Sequence, residues 1–168
     1  MLSYHPALDS NHAVFRILGL LEFLADKELE IERVRILDFY CVFPYLLSQV
    51  SVPMNLVSKK NQFKDAANPY NFGGDPRYLF AQIKVFQETA LSVLASNQYI
   101  DPDLYSNGVI KKGAKKASGD LVPLITSFVS EKLKLFSFLI ADLGDIPLLG
   151  DEGLKKRTGL MEYRYDDA

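Results

Sequence analysis

Apolar residues recur along most of this chain at three- and four-residue steps, the spacing of helices that bury one face. Val14, Leu18, Leu21 and Leu24 trace the first such line, widened by Phe15, Ile17 and Leu20. Asp9 and Ser10 stand where a helix needs acceptors for its first amides, so a helix is predicted over 10–24. Arg16 and Glu22 are its only ionic residues, and cover on more than one side is expected. A second helix is predicted over 31–47 along Val34, Leu37, Cys41 and Tyr45, with Pro44 kinking or ending it. Residues 52–74 are irregular, punctuated by Pro53, Asn68-Pro69 and Gly73-Gly74. A short helix over 58–67 would shorten that loop. Asp75 as cap and Pro76 at the first helical position then open a long helix to about Ser96. Its stripe is Leu79, Ile83, Phe86, Ala90 and Val93.

The periodicity changes after that helix. Tyr99-Ile100 and Val109-Ile110 are short and β-prone, and Asn107-Gly108 is a tight-turn signal, so 98–112 reads as a hairpin. Gly119-Asp120 precedes a last long helix, apolar over most of its circumference, expected to run to Leu143 and end at Gly144. The alternation from Met161 to Tyr165 suggests an edge strand. The expected fold is mainly α with a small β-hairpin: one domain over 1–168. A winged-helix-like α+β part covers 1–112, and a long C-terminal helix and tail over 113–168 form the expected partner-docking region.

Composition narrows the class. Nearly half of the 168 residues are hydrophobic, and 19 basic residues face 21 acidic ones. This excludes a disordered tail and a generally basic nucleic-acid binder. One cysteine excludes a disulfide framework. Residues 1–6 carry no basic stretch or apolar run of a secretory signal, and no apolar run approaches a membrane span, so a cytoplasmic protein is expected.

Candidate chemistry is sparse. His5 and His12 flank Asp9, but no third metal ligand stands at a suitable spacing, and capping or surface roles explain both. Cys41 lies in an apolar helix without a basic neighbour, the setting of an inert thiol. Asp101 with Asp103, and Asp151 with Glu152, sit in turn-like sequence and read as solvated charges. Gly73-Gly74 before a helix reads as a turn, since Asp75 already supplies negative charge there. The expectation is a protein that is not an enzyme and uses no cofactor. Lys111, Lys112, Lys115 and Lys116 are candidates for contacts to a DNA backbone, with a solvated loop as the alternative. Phe128, Phe136, Phe138 and Ile140, on the very apolar last helix, are candidates for docking a partner.

Three stretches carry a family resemblance. They are Tyr4-His5-Pro6-Ala7-Leu8-Asp9 with His12, Phe15, Arg16 and Leu18; Arg35-Ile36-Leu37-Asp38-Phe39-Tyr40-Cys41-Val42-Phe43-Pro44; and Asp75-Pro76-Arg77 leading through Leu79, Phe80 and Gln87 to Ala90 and Leu94. Over roughly the first 110 residues the chain resembles the small middle components of ABC-three-component systems, the Lamassu-type antiphage defence operons, in the class called middle component 5. The resemblance implies a non-catalytic subunit joining a coiled-coil ABC ATPase of the structural-maintenance-of-chromosomes (SMC) type to an effector nuclease. ATPase engagement with foreign DNA would then release the effector. A winged-helix DNA-binding regulator is the alternative from another class.

Overall fold

Asp9 starts the first helix as the pattern predicts: its carboxylate accepts the amides of Asn11 (2.7 Å) and His12 (3.3 Å), and α1 runs Ser10–Leu24. The computed structural model describes residues 5–68 and 73–164; Tyr4 of the first motif, Pro69 and Tyr165 lie outside them. A short strand β1, Leu29–Glu30, leads into α2, Ile31–Val42, and Pro44 ends that helix and opens a 3-10 turn, Pro44–Gln49. The short helix α3 is Met54–Asn61, earlier than the expected 58–67. Pro53 supplies the rigid entry to its first turn, and Lys60 Nζ ties it back to the carbonyls of Ser48 (3.1 Å) and Val50 (2.6 Å). Helix α4, Pro76–Ser96, has the expected bounds, with Asp75 accepting the Arg77 amide at 2.9 Å.

Three expectations need correction. The hairpin over 98–112 is interrupted by a helix, α5, Pro102–Ser106, because Asp101 accepts the amides of Asp103 and Leu104 (both 3.0 Å) and Pro102 fits the first turn. Asn107 and Gly108 close that helix, Gly108 at φ +83°. Strand β2, Val109–Ile110, pairs antiparallel with the distant β1 (Leu29 with Ile110, Glu30 with Val109), while Ile100 bridges Lys112. The second correction concerns the last helix. It divides at Lys132 (φ −118°, ψ 20°) into α6, Leu121–Glu131, and α7, Leu133–Ser137, and continues as a π-helical turn, Phe138–Leu143. Gly144 does not take the left-handed stop; its φ is −67° and its amide closes the wide turn on Leu139 O at 2.7 Å. A final helix α8, Leu154–Thr158, follows. In the tail, Glu162 accepts the amides of Tyr163 (3.1 Å) and Arg164 (2.9 Å), a turn where an edge strand was expected. The fold is therefore mainly helical with a small two-stranded antiparallel sheet.

Helix α1 is central: α2, α4, α6 and α7 all pack on it. Its apolar residues on several sides thus face neighbours within the same chain, and one hydrophobic core runs from Ala7 to Leu160. Gly19 lets two rings close on α1: a Cβ there would stand 3.0 Å from Phe136 and 3.4 Å from Phe128.

A buried polar tie crosses this core. Asp38 of α2 accepts from Arg16 Nε (2.7 Å) and Nη2 (3.2 Å) of α1, and from Gln87 Nε2 (2.8 Å) of α4. Arg16 also donates to Pro6 O (3.1 Å), and Gln87 exchanges bonds with Arg35, donating to its carbonyl (3.0 Å) and accepting from its Nε (3.2 Å). The Arg35 guanidinium lies 4.8 Å from the Phe80 ring centre. Burial opposes the charge of Arg16, yet Asp38 outweighs it and holds the group above its ordinary pKa. Removing one partner leaves the other buried and unpaired, so Asp38→Ala is expected to cost about 3–5 kcal/mol in urea unfolding.

His5 predicts a pH dependence. Its buried imidazole accepts the Ala7 amide through Nδ1 at 2.9 Å, and burial, then the charge of Arg16, hold its pKa below the ordinary 6.5. The unfolded chain therefore takes up this proton more readily than the folded one. The stabilisation is full above about pH 6.5 and is lost as pH falls through the folded value. His5→Asn keeps an acceptor without the titration and should flatten that loss, read as urea midpoints between about pH 7.5 and about pH 5.

Candidate functional site

Helix α6 is amphipathic in the wrong proportion for a core helix. It carries Leu121, Val122, Leu124, Ile125, Phe128 and Val129, yet among them only Ile125 is buried. Leu124 and, just beyond the break, Leu133 are each 54% exposed, and Val122 is 45% exposed. Between β2 and α6 the chain runs without helix or strand through the lysine segment. Gly113 pins its start, since its amide donates to Tyr99 O (2.8 Å) and a Cβ there would collide with the Gln98 carbonyl. The Lys115 amide donates to Gln98 O at 3.0 Å. A groove of about 800 Å³ opens between this segment, α6 and one side of α1. Leu18, Leu21, Ile125 and Val129 give it an apolar lining; Lys112, Lys115 and Lys116 stand on the segment, and Glu22 and Asp26 near the end of α1.

The four candidate lysines are thus not equivalent. Lys111 is paired with Glu28 at 3.0 Å, outside the groove. Lys115 lies over the Tyr99 ring at 4.8 Å, while Lys112 and Lys116 have no ion-pair partner among the described residues. The groove they border also holds two carboxylates, so its field is mixed rather than uniformly positive.

Of the four candidate docking residues, three are placed in the chain's own core: Phe136 is 0%, Phe138 3% and Ile140 5% exposed. Phe136 stacks on Phe23 (ring centres 5.7 Å apart) and meets Phe128 edge-on at 5.7 Å, and Phe138 packs against Phe63 at 5.6 Å. Helix α7 and the π turn fold back onto α1 and α2, and that internal packing accounts for their apolarity. Phe128 is half-buried, with Lys132 Nζ 5.1 Å from its ring centre. The exposed apolar positions are Val122, Leu124 and Leu133. Val122 stands three residues before Ile125 and lines the same groove, so the apolar stripe does not mark which positions are bare; only the placement of α1 does.

The remaining candidates take structural places. Cys41 is buried, and burial, reinforced by Asp38, pushes its thiol above the ordinary range. Asp75 and Asp101 cap helices. Asp151 pairs with Lys156 at 3.0 Å, and Glu152 with Arg157. Lys155 is buried against Glu32 at 3.3 Å, and Arg33 donates to Gly144 O (2.8 Å) and to Ile146 O, so basic side chains stitch α2 to the C-terminal region. Among the described residues, no three His, Cys, Asp or Glu side chains gather as a metal site, and no helix is long and apolar enough to cross a membrane.

What the fold and groove define is a small helical protein whose open feature is an apolar surface flanked by charge. The chain belongs to the ABC-three component (ABC-3C) system Middle Component 5 family, whose model matches residues 2–166. That match runs through the C-terminal third, beyond the reach of the three sequence motifs. Membership accords with an accessory defence subunit working beside the other components of its system. No curated protein and no solved structure matches the chain.

Core and surface aromatics and aliphatics should separate cleanly on substitution. Phe136→Ala is expected to cost about 3–5 kcal/mol. Leu124→Ser and Leu133→Ser are expected to stay within about 0.5 kcal/mol of the parent in urea unfolding.

Proposed function

We propose that this chain is a non-catalytic adaptor of a Lamassu-type antiphage system, acting in the cytoplasm to join an SMC-like coiled-coil ABC ATPase to an effector nuclease. In this reading, docking restrains the effector until the ATPase engages foreign DNA. Residues 113–168 supply the docking part, with Phe128 at the edge of the bare α6 face. The observation that carries the reading is that α6 is apolar over most of its length and buries one residue, on a chain of a middle-component family. A face of this kind marks an interaction site more than a reaction site. Co-expression with the ATPase and effector components of the same operon tests it. All three should co-purify, and omitting this chain should separate ATPase from effector. If those two stay together without it, or this chain elutes alone beside them, the adaptor reading is wrong.

The winged-helix DNA-binding reading has its own support. β1 precedes α2 and pairs with β2, while Ile100 bridges Lys112, an order in keeping with a wing beside a helical unit. Against it, the tip between residues 101 and 109 is α5, which carries Asp101 and Asp103 rather than cations. Lys112, Lys115 and Lys116 would be the phosphate contacts, with Lys111 held on Glu28. Duplex DNA binding that strengthens steeply as salt falls and weakens in a triple Lys→Ala variant would favour this reading. Absence of binding at low salt would dismiss it.

A further inference from the structure

The groove between α1, α6 and the lysine segment carries three chemistries on three elements. Its lining of Leu18 and Leu21 with Ile125 and Val129 is apolar. Lys112, Lys115 and Lys116 come from the segment before α6, Glu22 from the last turn of α1 and Asp26 from just beyond it. The side chains of Glu22, Lys112 and Lys116 make no hydrogen bond or ion pair among the described residues, so their charges are available to an occupant.

These features discriminate between kinds of occupant. A phosphate backbone gains affinity from neutralising cations and would here meet two carboxylates and an apolar lining. A stacked base would need the Tyr99 face against which Lys115 already lies. An amphipathic helix answers all three chemistries at once: an apolar stripe at three- and four-residue steps for the lining, carboxylates for the lysines, and a cation for Glu22 and Asp26. It would also cover Val122 and Leu133, two of the exposed apolar residues, which line the groove. A second copy of this chain fits poorly, because its longest helix, α4, carries a single carboxylate, Glu88, which is engaged with Lys84 at 3.6 Å.

We propose that this groove holds an amphipathic helix of a companion component, its carboxylates facing Lys112, Lys115 and Lys116 and a basic residue facing Glu22 and Asp26. This names the docking site of the adaptor described above and rests on that reading. The test uses the full chain in its co-expressed complex, with the photocrosslinking residue benzoylphenylalanine placed separately at Val122 and Leu133. Both positions should capture one segment of a companion protein with a helical apolar stripe and acidic residues along one edge. Lys112→Glu combined with Lys116→Glu, with an unchanged urea midpoint as proof of folding, should weaken the complex roughly tenfold. Reversing the carboxylates of the captured segment to lysine should restore it. An intact complex with no capture from either position overturns the groove proposal while leaving the adaptor reading standing. So does capture of DNA or of a second copy of this chain. If no complex forms, both fall together.

Discussion

Asp38 sits where three helices meet, and the rest of the structure depends on its being satisfied there. Its carboxylate takes Arg16 from α1 and Gln87 from α4, and Arg16 reaches on to the carbonyl of Pro6. A charge buried this deeply is tolerated only when each oxygen has a donor, and the geometry of those donors sets the rotation of each helix about its axis. A Leu in place of Asp38 would be compatible with several helix rotations; the bidentate pair is compatible with few. Arg16, Arg35, Asp38, Phe80 and Gln87 all lie in the three stretches that carry the family resemblance. Those motifs therefore describe a way of locking three helices together.

Locking α1 at the centre changes the meaning of the apolar load. Two helices look too apolar for a chain of this length, and a natural expectation is that the surplus faces a partner. For α1 it does not: four helices cover it. For the last helix the surplus divides at Lys132. Beyond the break, Leu133 stays exposed, while Leu135, Phe136 and the π turn are drawn inward, with Phe136 against Gly19. Before it, α6 rests on α1 through Ile125 and leaves its other apolar side chains half or fully open. The break separates an inner piece from an outer one, and the exposed apolar surface is α6 together with Leu133 just past the break.

The outer piece gains specificity from what surrounds it. An apolar surface alone gives affinity without choice, whereas unpaired charges of both signs at its margins penalise occupants with the wrong pattern. The lysine segment owes its position to backbone bonds with 98–100, so the cations are presented by an anchored strand of chain. On the adaptor reading proposed above, such a surface is firm enough to select one helix and exposed enough for that helix to arrive after the chain has folded.

Local signals determined much of this protein. Of the expected α4 stripe, Leu79, Ile83 and Ala90 are buried and Val93 is 45% exposed. The caps Asp9 and Asp75 and the proline at 76 set where the two longest helices begin, because capping is a property of neighbouring positions. Cys41 as an inert thiol was legible for the same reason. What tertiary structure decided is everything that needs two distant segments at once. The pairing of β1 with β2 across some eighty residues, the break at Lys132 and the burial of Phe136, Phe138 and Ile140 are such cases, whereas the helix inside the expected hairpin rests on the local cap Asp101-Pro102. So are the meeting of Arg16 with Asp38 and Gln87 and the gathering of Glu22 and Asp26 with the lysines. A stripe states that a residue wants cover; it does not state whose side chain provides it. That choice belongs to the packing of α1 among its neighbours, and it alone separates the face that fills the core from the face left for a partner.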